Sequence, residues 1–250
     1  MAELWNLIIL DPMLNILIAL SDPLFHSFGL AIISLTVVVR LILFPLTSRQ
    51  TKSTKAMQEM QPKMQELQKK YGKNKEKLQQ EMMKLYKEAR ISPLGCMWPM
   101  LIQFPVWIAL YQSIMRTLAT TPENLLDLAH HLYSWSVVSQ AIPVSSHFLW
   151  LDLGRPDTTL LLAIIVGATM WVQQKMTTAP TLDPKQQSMN SMMLLMMPLM
   201  FALFTLTFPS GLALFWAVSN IIGIVIQYKT MGWGYLRIRP ASQPTKKIKT

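Results

Sequence analysis

Cysteine is almost missing: Cys96 stands alone among 250 residues. One thiol excludes an intramolecular disulfide and any cysteine-based zinc cluster. Charge is scarce as well, at 14% of residues, with 13 acidic side chains against 23 lysines and arginines. The sequence holds no HExxH pair, no glycine-rich phosphate loop and no paired aspartates within an apolar stretch. His26, His130, His131 and His147 have no third ligand-like neighbour, so neither metal nor cofactor is expected. Ser210, within Pro209-Ser210-Gly211, lacks a membrane-embedded base, and Cys96 reads as packing rather than a nucleophile. Together these absences point away from an enzyme. The start, Met1-Ala-Glu-Leu-Trp-Asn, has no basic region and no small-residue cleavage site, which predicts an unprocessed prokaryotic membrane protein.

Apolar length is what the chain does have. Hydrophobic residues make up 51% and the mean hydropathy is +0.29, values that suit a polytopic membrane protein. Five segments approach the roughly 20 residues needed to span a bilayer. They are 24–47, 93–118, 158–176, 191–208 and 212–229, the last two separated by the turn 209–211, which predicts antiparallel neighbours. Residues 1–23, broken by Asp11-Pro12 and Asp22-Pro23, read as a segment too interrupted to span that lies in the outer interface. Sidedness follows from the basic residues: 20 of 23 fall in Arg49–Arg90, at Lys175 and Lys185, and from Lys229 through the tail. That places the N-terminus outside, the C-terminus in the cytosol, and 119–157 as an extracytoplasmic loop.

Segment 48–92 carries apolar residues at heptad-like spacing. Met57, Met60, Met64 and Leu67 form one arm, Leu78, Met82 and Leu85 the other, with Tyr71-Gly72-Lys73-Asn74 as the turn. A cytosolic helical hairpin fits, with Gly72 and Asn74 suited to left-handed backbone and Pro62 kinking the first arm. A solvated charged coil is the plainer alternative. Methionine-lined seams adapt to varied apolar partners, so the hairpin is a candidate recruiting surface for nascent chains.

Inside the spans, one residue stands apart. Arg40 lies in an otherwise apolar run, where an ionised side chain costs at least about 2.5–3.5 kcal/mol. It sits six residues before Leu46, about 9 Å from the helix end, so snorkelling to the interface is one reading. The five spans contain no acidic residue to neutralise it. Its partner must then be water, carbonyls, lipid phosphate or a visiting acidic group. Thr36, Arg40 and Thr47 share a helical face, Gln103, Trp107 and Tyr111 repeat every four residues, and Trp216, Ser219, Asn220, Gly223 and Gln227 form another stripe. Thr169, Gln173 and Gln174 close the third span. Singly, each is ordinary interhelical hydrogen-bonding glue. As a set around Arg40 they outline a wet groove.

Several short motifs recur in a fixed order: Arg40-Leu-Ile-Leu-Phe-Pro-Leu-Thr47, Gln61-Pro62, Lys70-Tyr71-Gly72, Leu85-Tyr86-Lys87 and Ser92-Pro-Leu-Gly-Cys96. Gln103-Phe-Pro105, Ala109-Leu-Tyr111, Gln173-Gln174-Lys175-Met176, Asp183-Pro184 and Phe208-Pro-Ser-Gly-Leu212 follow, with Trp216 and Ser219-Asn220. In that order and spacing the chain resembles the YidC family of membrane protein insertases, in its minimal five-span bacterial form. Ser92 stands where asparagine is usual, and one glycine before Cys96 is absent. The resemblance implies an all-α polytopic membrane protein, five transmembrane helices around a hydrophilic groove open to the cytosol. It implies Arg40 as the groove's central charge, with Thr36, Gln103, Gln173, Trp216, Ser219 and Asn220 lining it. Nascent membrane proteins would be substrates, membrane lipids neighbours, a Sec translocon and ribosome candidate partners, and the monomer the working unit. An anion channel or transporter using Arg40 is the alternative, and an assembly chaperone without insertion activity another.

Overall fold

A computed structural model of the chain describes residues 2–72, 74–88, 98–118, 128–142, 144–178 and 184–236. It is overwhelmingly helical, an all-α polytopic membrane protein. Residues 237–250 of the predicted basic tail and the Ser92–Cys96 motif lie outside the described residues.

The chain opens with a helical run that continues through Asp11-Pro12, contrary to the expected interruption. Ala2–Trp5 (α1) passes into a π-helical turn, Asn6–Leu10, then into α2, Asp11–Ser21, and a 3-10 turn, Asp22–Leu24. The Asp11 N–H reaches back to the Asn6 carbonyl, an i→i+5 bond, and Pro12 then falls in the first turn of α2, where a missing N–H is tolerated. Glu3–Leu24 is therefore long and apolar enough to cross a membrane. The run stops at Phe25, whose backbone is left-handed.

Phe28–Ile42 (α3) and Phe44–Tyr71 (α4) meet at a 63° bend at Leu43. Pro45, in the first turn of α4, cannot donate to the preceding turn, so the axis breaks there. The first predicted span is thus not one straight helix through residue 47. Lys75–Glu88 (α5) follows a tight turn and packs against α4. Gly72 there is right-handed, not left-handed as expected; a Cβ would sit 2.5 Å from the Gln68 carbonyl oxygen, and that close approach is what calls for glycine. Asn74 Oδ1 accepts from the Lys77 N–H at 3.1 Å and caps α5. Pro62 lies inside α4.

Trp98–Thr117 (α6), the short Ser136–Ala141 (α7), Leu161–Thr177 (α8), Pro184–Phe204 (α9) and Ser210–Met231 (α10) complete the bundle. A two-residue hairpin, His147–Phe148 (β1) with Leu151–Asp152 (β2), sits at the end where α8 and α10 begin, the loop end. The other, from which α4 departs, is the hairpin end. Among the described residues, three helices are long and apolar enough to span, four if α3 and α4 count as one broken span. α8, with 17 residues, is too short for that measure, and α6 is diluted by Gln103, Gln112 and Arg116. α9 and α10, expected as adjacent neighbours, each pack along α8 instead, and the rings of Phe201 and Trp216 bring them together near their turn.

The apolar core sits at the loop end. Phe28, Ile32, Leu110, Ile114, Leu153 and Phe215 are essentially sealed there, and the first two turns of α10, Ser210–Ala217, are buried throughout. Hydrogen bonds lock it: Ser210 N donates to Arg155 O at 2.7 Å, Gly211 N to Leu153 O at 3.1 Å, and the Ser210 hydroxyl to Asp152 O at 2.7 Å. Asp157 caps α8, its carboxylate accepting from the Thr159 N–H and hydroxyl and from the Leu162 N–H. Burial pushes its pKa up, but the bonds from Thr159, Leu162 and Trp150 outweigh that and hold it below the usual carboxylate range. A second, smaller core joins α2 to α7 through Leu14, Ile18 and Val138. Fully buried Asn15 clamps it, donating to the carbonyls of Asp11 and His131 and accepting from the Tyr133 N–H, each at 2.8 Å. Large apolar side chains elsewhere face outward, notably Met192, Leu195, Ile164 and Leu41 at 64–67% exposure. In a membrane protein that is the surface lipid covers.

Candidate functional site

At the hairpin end the packing changes character. A cavity of about 140 Å³ opens where the α3–α4 bend faces α6, α8 and α10. Arg40, in the last turn of α3, forms part of its wall. The bend then swings Thr47, Thr51 and Thr54 of α4 onto the same cavity. Gln103 comes from α6, Gln173 and Thr177 from α8, and Gln227 from α10. Among the described residues, none that lines it is acidic.

Counting donors and acceptors shows what the cavity offers. Each threonine hydroxyl spends its proton on its own helix: Thr47 on Leu43 O at 3.0 Å, Thr51 on Thr47 O at 2.9 Å, Thr54 on Gln50 O at 3.1 Å, Thr177 on Gln174 O at 3.0 Å. These oxygens therefore keep only lone pairs for a visitor. Donors come from elsewhere. The Arg40 guanidinium has no hydrogen bond or ion pair among the described residues. Gln103 Nε2 is buried and unbonded, as is the acceptor Gln227 Oε1. Unpaired buried polar groups cost about 1–3 kcal/mol each, more when charged, and native interiors hold few of them. Here those of Gln103 and Gln227 line one cavity together with a cation.

The structure brings Arg40, Gln103 and Gln173 of the expected set to this cavity and leaves four others off its wall. Thr36 is fully buried one turn from Arg40, its hydroxyl on Ile32 O at 2.6 Å. Trp216 lies in a ring cluster with Trp107, Phe201 and Phe208, centroids 5.1–6.3 Å apart, its Nε1 unbonded. Ser219 Oγ is likewise buried without a partner, and Asn220 Nδ2 donates to Thr169 Oγ1 at 3.3 Å. Gln50, Thr51, Thr54 and Thr177 were not foreseen. The signal was available, since Thr47, Thr51 and Thr54 follow one another at spacings of four and three. In the α4–α5 arm, Met57, Met60, Met64, Leu67, Leu78, Met82 and Leu85 are all half-buried.

The model of the 60Kd inner membrane protein family matches residues 20–234. The chain belongs to this family, the YidC family. Among YidC relatives, a membrane protein insertase YidC 2 of Bacillus anthracis is 36% identical over 233 residues, covering 92% of this chain and 82% of the relative. The membrane protein insertase YidC of Histophilus somni (strain 129Pt) is 38% identical over 225 residues, and that of Mannheimia succiniciproducens 42% over 202. These cover 90% and 80% of this chain, but only 37% and 33% of the relatives, so the chain spans about a third of their length. Every motif from Arg40 to Asn220 falls within the matched YidC region. With its apolar helices, this makes the chain a multi-pass bacterial membrane protein.

Proposed function

We propose that the chain is a membrane protein insertase, and that the Arg40 cavity receives hydrophilic, acidic tails of nascent membrane proteins. One observation carries this reading: a cation without a partner among the described residues, in a polar recess between apolar helices. The insertase name borne by the relatives supports it. Moving a polar tail through about 30 Å of hydrocarbon leaves backbone groups unsatisfied at several kcal/mol each. A wet recess shortens the dry path, and Arg40 offers a transient ion pair to a carboxylate. Binding stays weak enough for release because the threonine oxygens and glutamine amides exchange readily with water.

Taking the basic-residue bias as the guide to sidedness, the hairpin end faces the cytosol and the loop end the outside. On that orientation the sealed core closes the recess outward, and the α4–α5 arm with its half-buried methionines meets incoming chains. The Sec translocon and ribosome are candidate partners, and the monomer is the working unit.

Reconstitution into liposomes with a single-spanning, acidic-tailed substrate, scored by protease protection of the tail, tests the reading. Arg40→Ala is expected to reduce insertion about tenfold or more, the worth of one charge-assisted hydrogen bond, while Arg40→Lys keeps most of it. Full insertion by the alanine variant across several acidic tails would remove the charge-pairing step. Small-anion flux through the reconstituted protein would favour a channel instead.

A further inference from the structure

The Gln173 amide reaches the cavity without any hydrogen bond among the described residues to hold it there; only its backbone carbonyl has an extra partner, Thr177 Oγ1 at 3.5 Å. What fixes the amide is steric. It lies against the backbone of α10 at Gly223, where a Cβ would collide with Gln173 Nε2 and come within 3.1 Å of its Cδ and 3.5 Å of its Oε1. α8 and α10 both start at the loop end and run in the same direction. Asn220 meets Thr169 on the loop-end side of this contact, and Gln227 joins Thr177 in the cavity wall on the other.

Gly223 has no backbone reason to be glycine. Left-handed glycines among the described residues are Gly232 and Gly234, and Gly223 is ordinary helix in the middle of α10, where alanine is the better helix former. We propose that Gly223 is a positioning residue: its missing side chain is the recess that seats the Gln173 amide at the wall of the Arg40 cavity. Seated there, the amide offers one N–H donor and one carbonyl acceptor beside the guanidinium, the complement of a peptide group next to a carboxylate. Gln173 would then take the backbone of an acidic tail while Arg40 takes its side chain. This rests on the reading of the cavity as the receiving site.

The geometry makes an unusual substitution informative. In Gly223→Ala only the far end of a flexible side chain has to move, so the fold tolerates it, but the amide leaves its seat. Full-length wild type, Gly223→Ala, Gln173→Ala, the double variant and Arg40→Ala are compared in liposomes, with protease protection of an acidic-tailed single-span substrate and the Tm of each purified protein. Gly223→Ala is expected to keep or raise Tm yet lower insertion about 2- to 10-fold, the worth of one neutral hydrogen bond. Gln173→Ala should lose the same amount and the double variant no more than either, since Gly223 acts through Gln173. Additive losses, unchanged insertion by Gly223→Ala, or a lowered Tm for it would overturn the proposal. Normal insertion by Gln173→Ala beside a defective Arg40→Ala would sink it and leave the receiving-site reading standing. Normal insertion by both would remove that reading too.

Discussion

The two ends of this bundle are packed differently. At the loop end, buried side chains interlock, and Ser210, Gly211 and Asp157 have their polar groups bonded. At the hairpin end, Arg40, Gln103 and Gln227 have polar atoms without a partner among the described residues, around an open volume. α10 passes through both environments, from a sealed start at Ser210–Ala217 to Gln227 at the cavity. One helix thus connects the part that supplies stability to the part that gives some up. Sites that must bind and release are drawn from the weakly satisfied end of a structure.

Substitutions at the two ends should therefore move stability and insertion in different proportions. The largest effect belongs to the core: Phe215, 2% exposed, should cost about 3–5 kcal/mol on truncation to alanine, seen as a large fall in Tm in detergent. Insertion per folded molecule should hardly change. Asp157→Asn should cost about 1 kcal/mol by weakening the α8 cap. Its pH dependence has a definite sign. Because the folded carboxyl is held low, the stability it contributes is present above the unfolded value near ~4 and is lost as pH falls through the folded one. Thermal unfolding between pH 7 and acid should show a shallower decline for the asparagine variant. A third effect, of similar size, has the opposite direction: Gln103→Leu should raise stability by about 1 kcal/mol, since it removes an unbonded buried amide nitrogen, while insertion falls. A destabilised Gln103→Leu protein with normal insertion would erase the contrast between the ends.

Much of this was legible in the residues themselves. An arginine with no acidic residue in any of the five predicted spans is conspicuous whatever the fold, and the glutamines at 103 and 173 line the same cavity. What periodicity could not supply is the rotation and spacing of helices. Trp216, Ser219 and Asn220 sit on a correctly read polar stripe, yet that stretch of α10 turns toward rings and α8 rather than the cavity. Thr36 shares a face with Arg40, but one turn deeper that face is already sealed. The N-terminal run shows the reverse error. Asp-Pro looked like an interruption, and a π-turn absorbed it.

The break at Leu43 has a geometric consequence. Seven residues of straight helix would carry Thr47 about 10 Å along the axis beyond Arg40. The 63° elbow turns that advance sideways, and a single stretch of chain furnishes both the cation and the oxygen-lined lip beside it. One imino acid, Pro45, thereby stands in for a separate wall-forming segment.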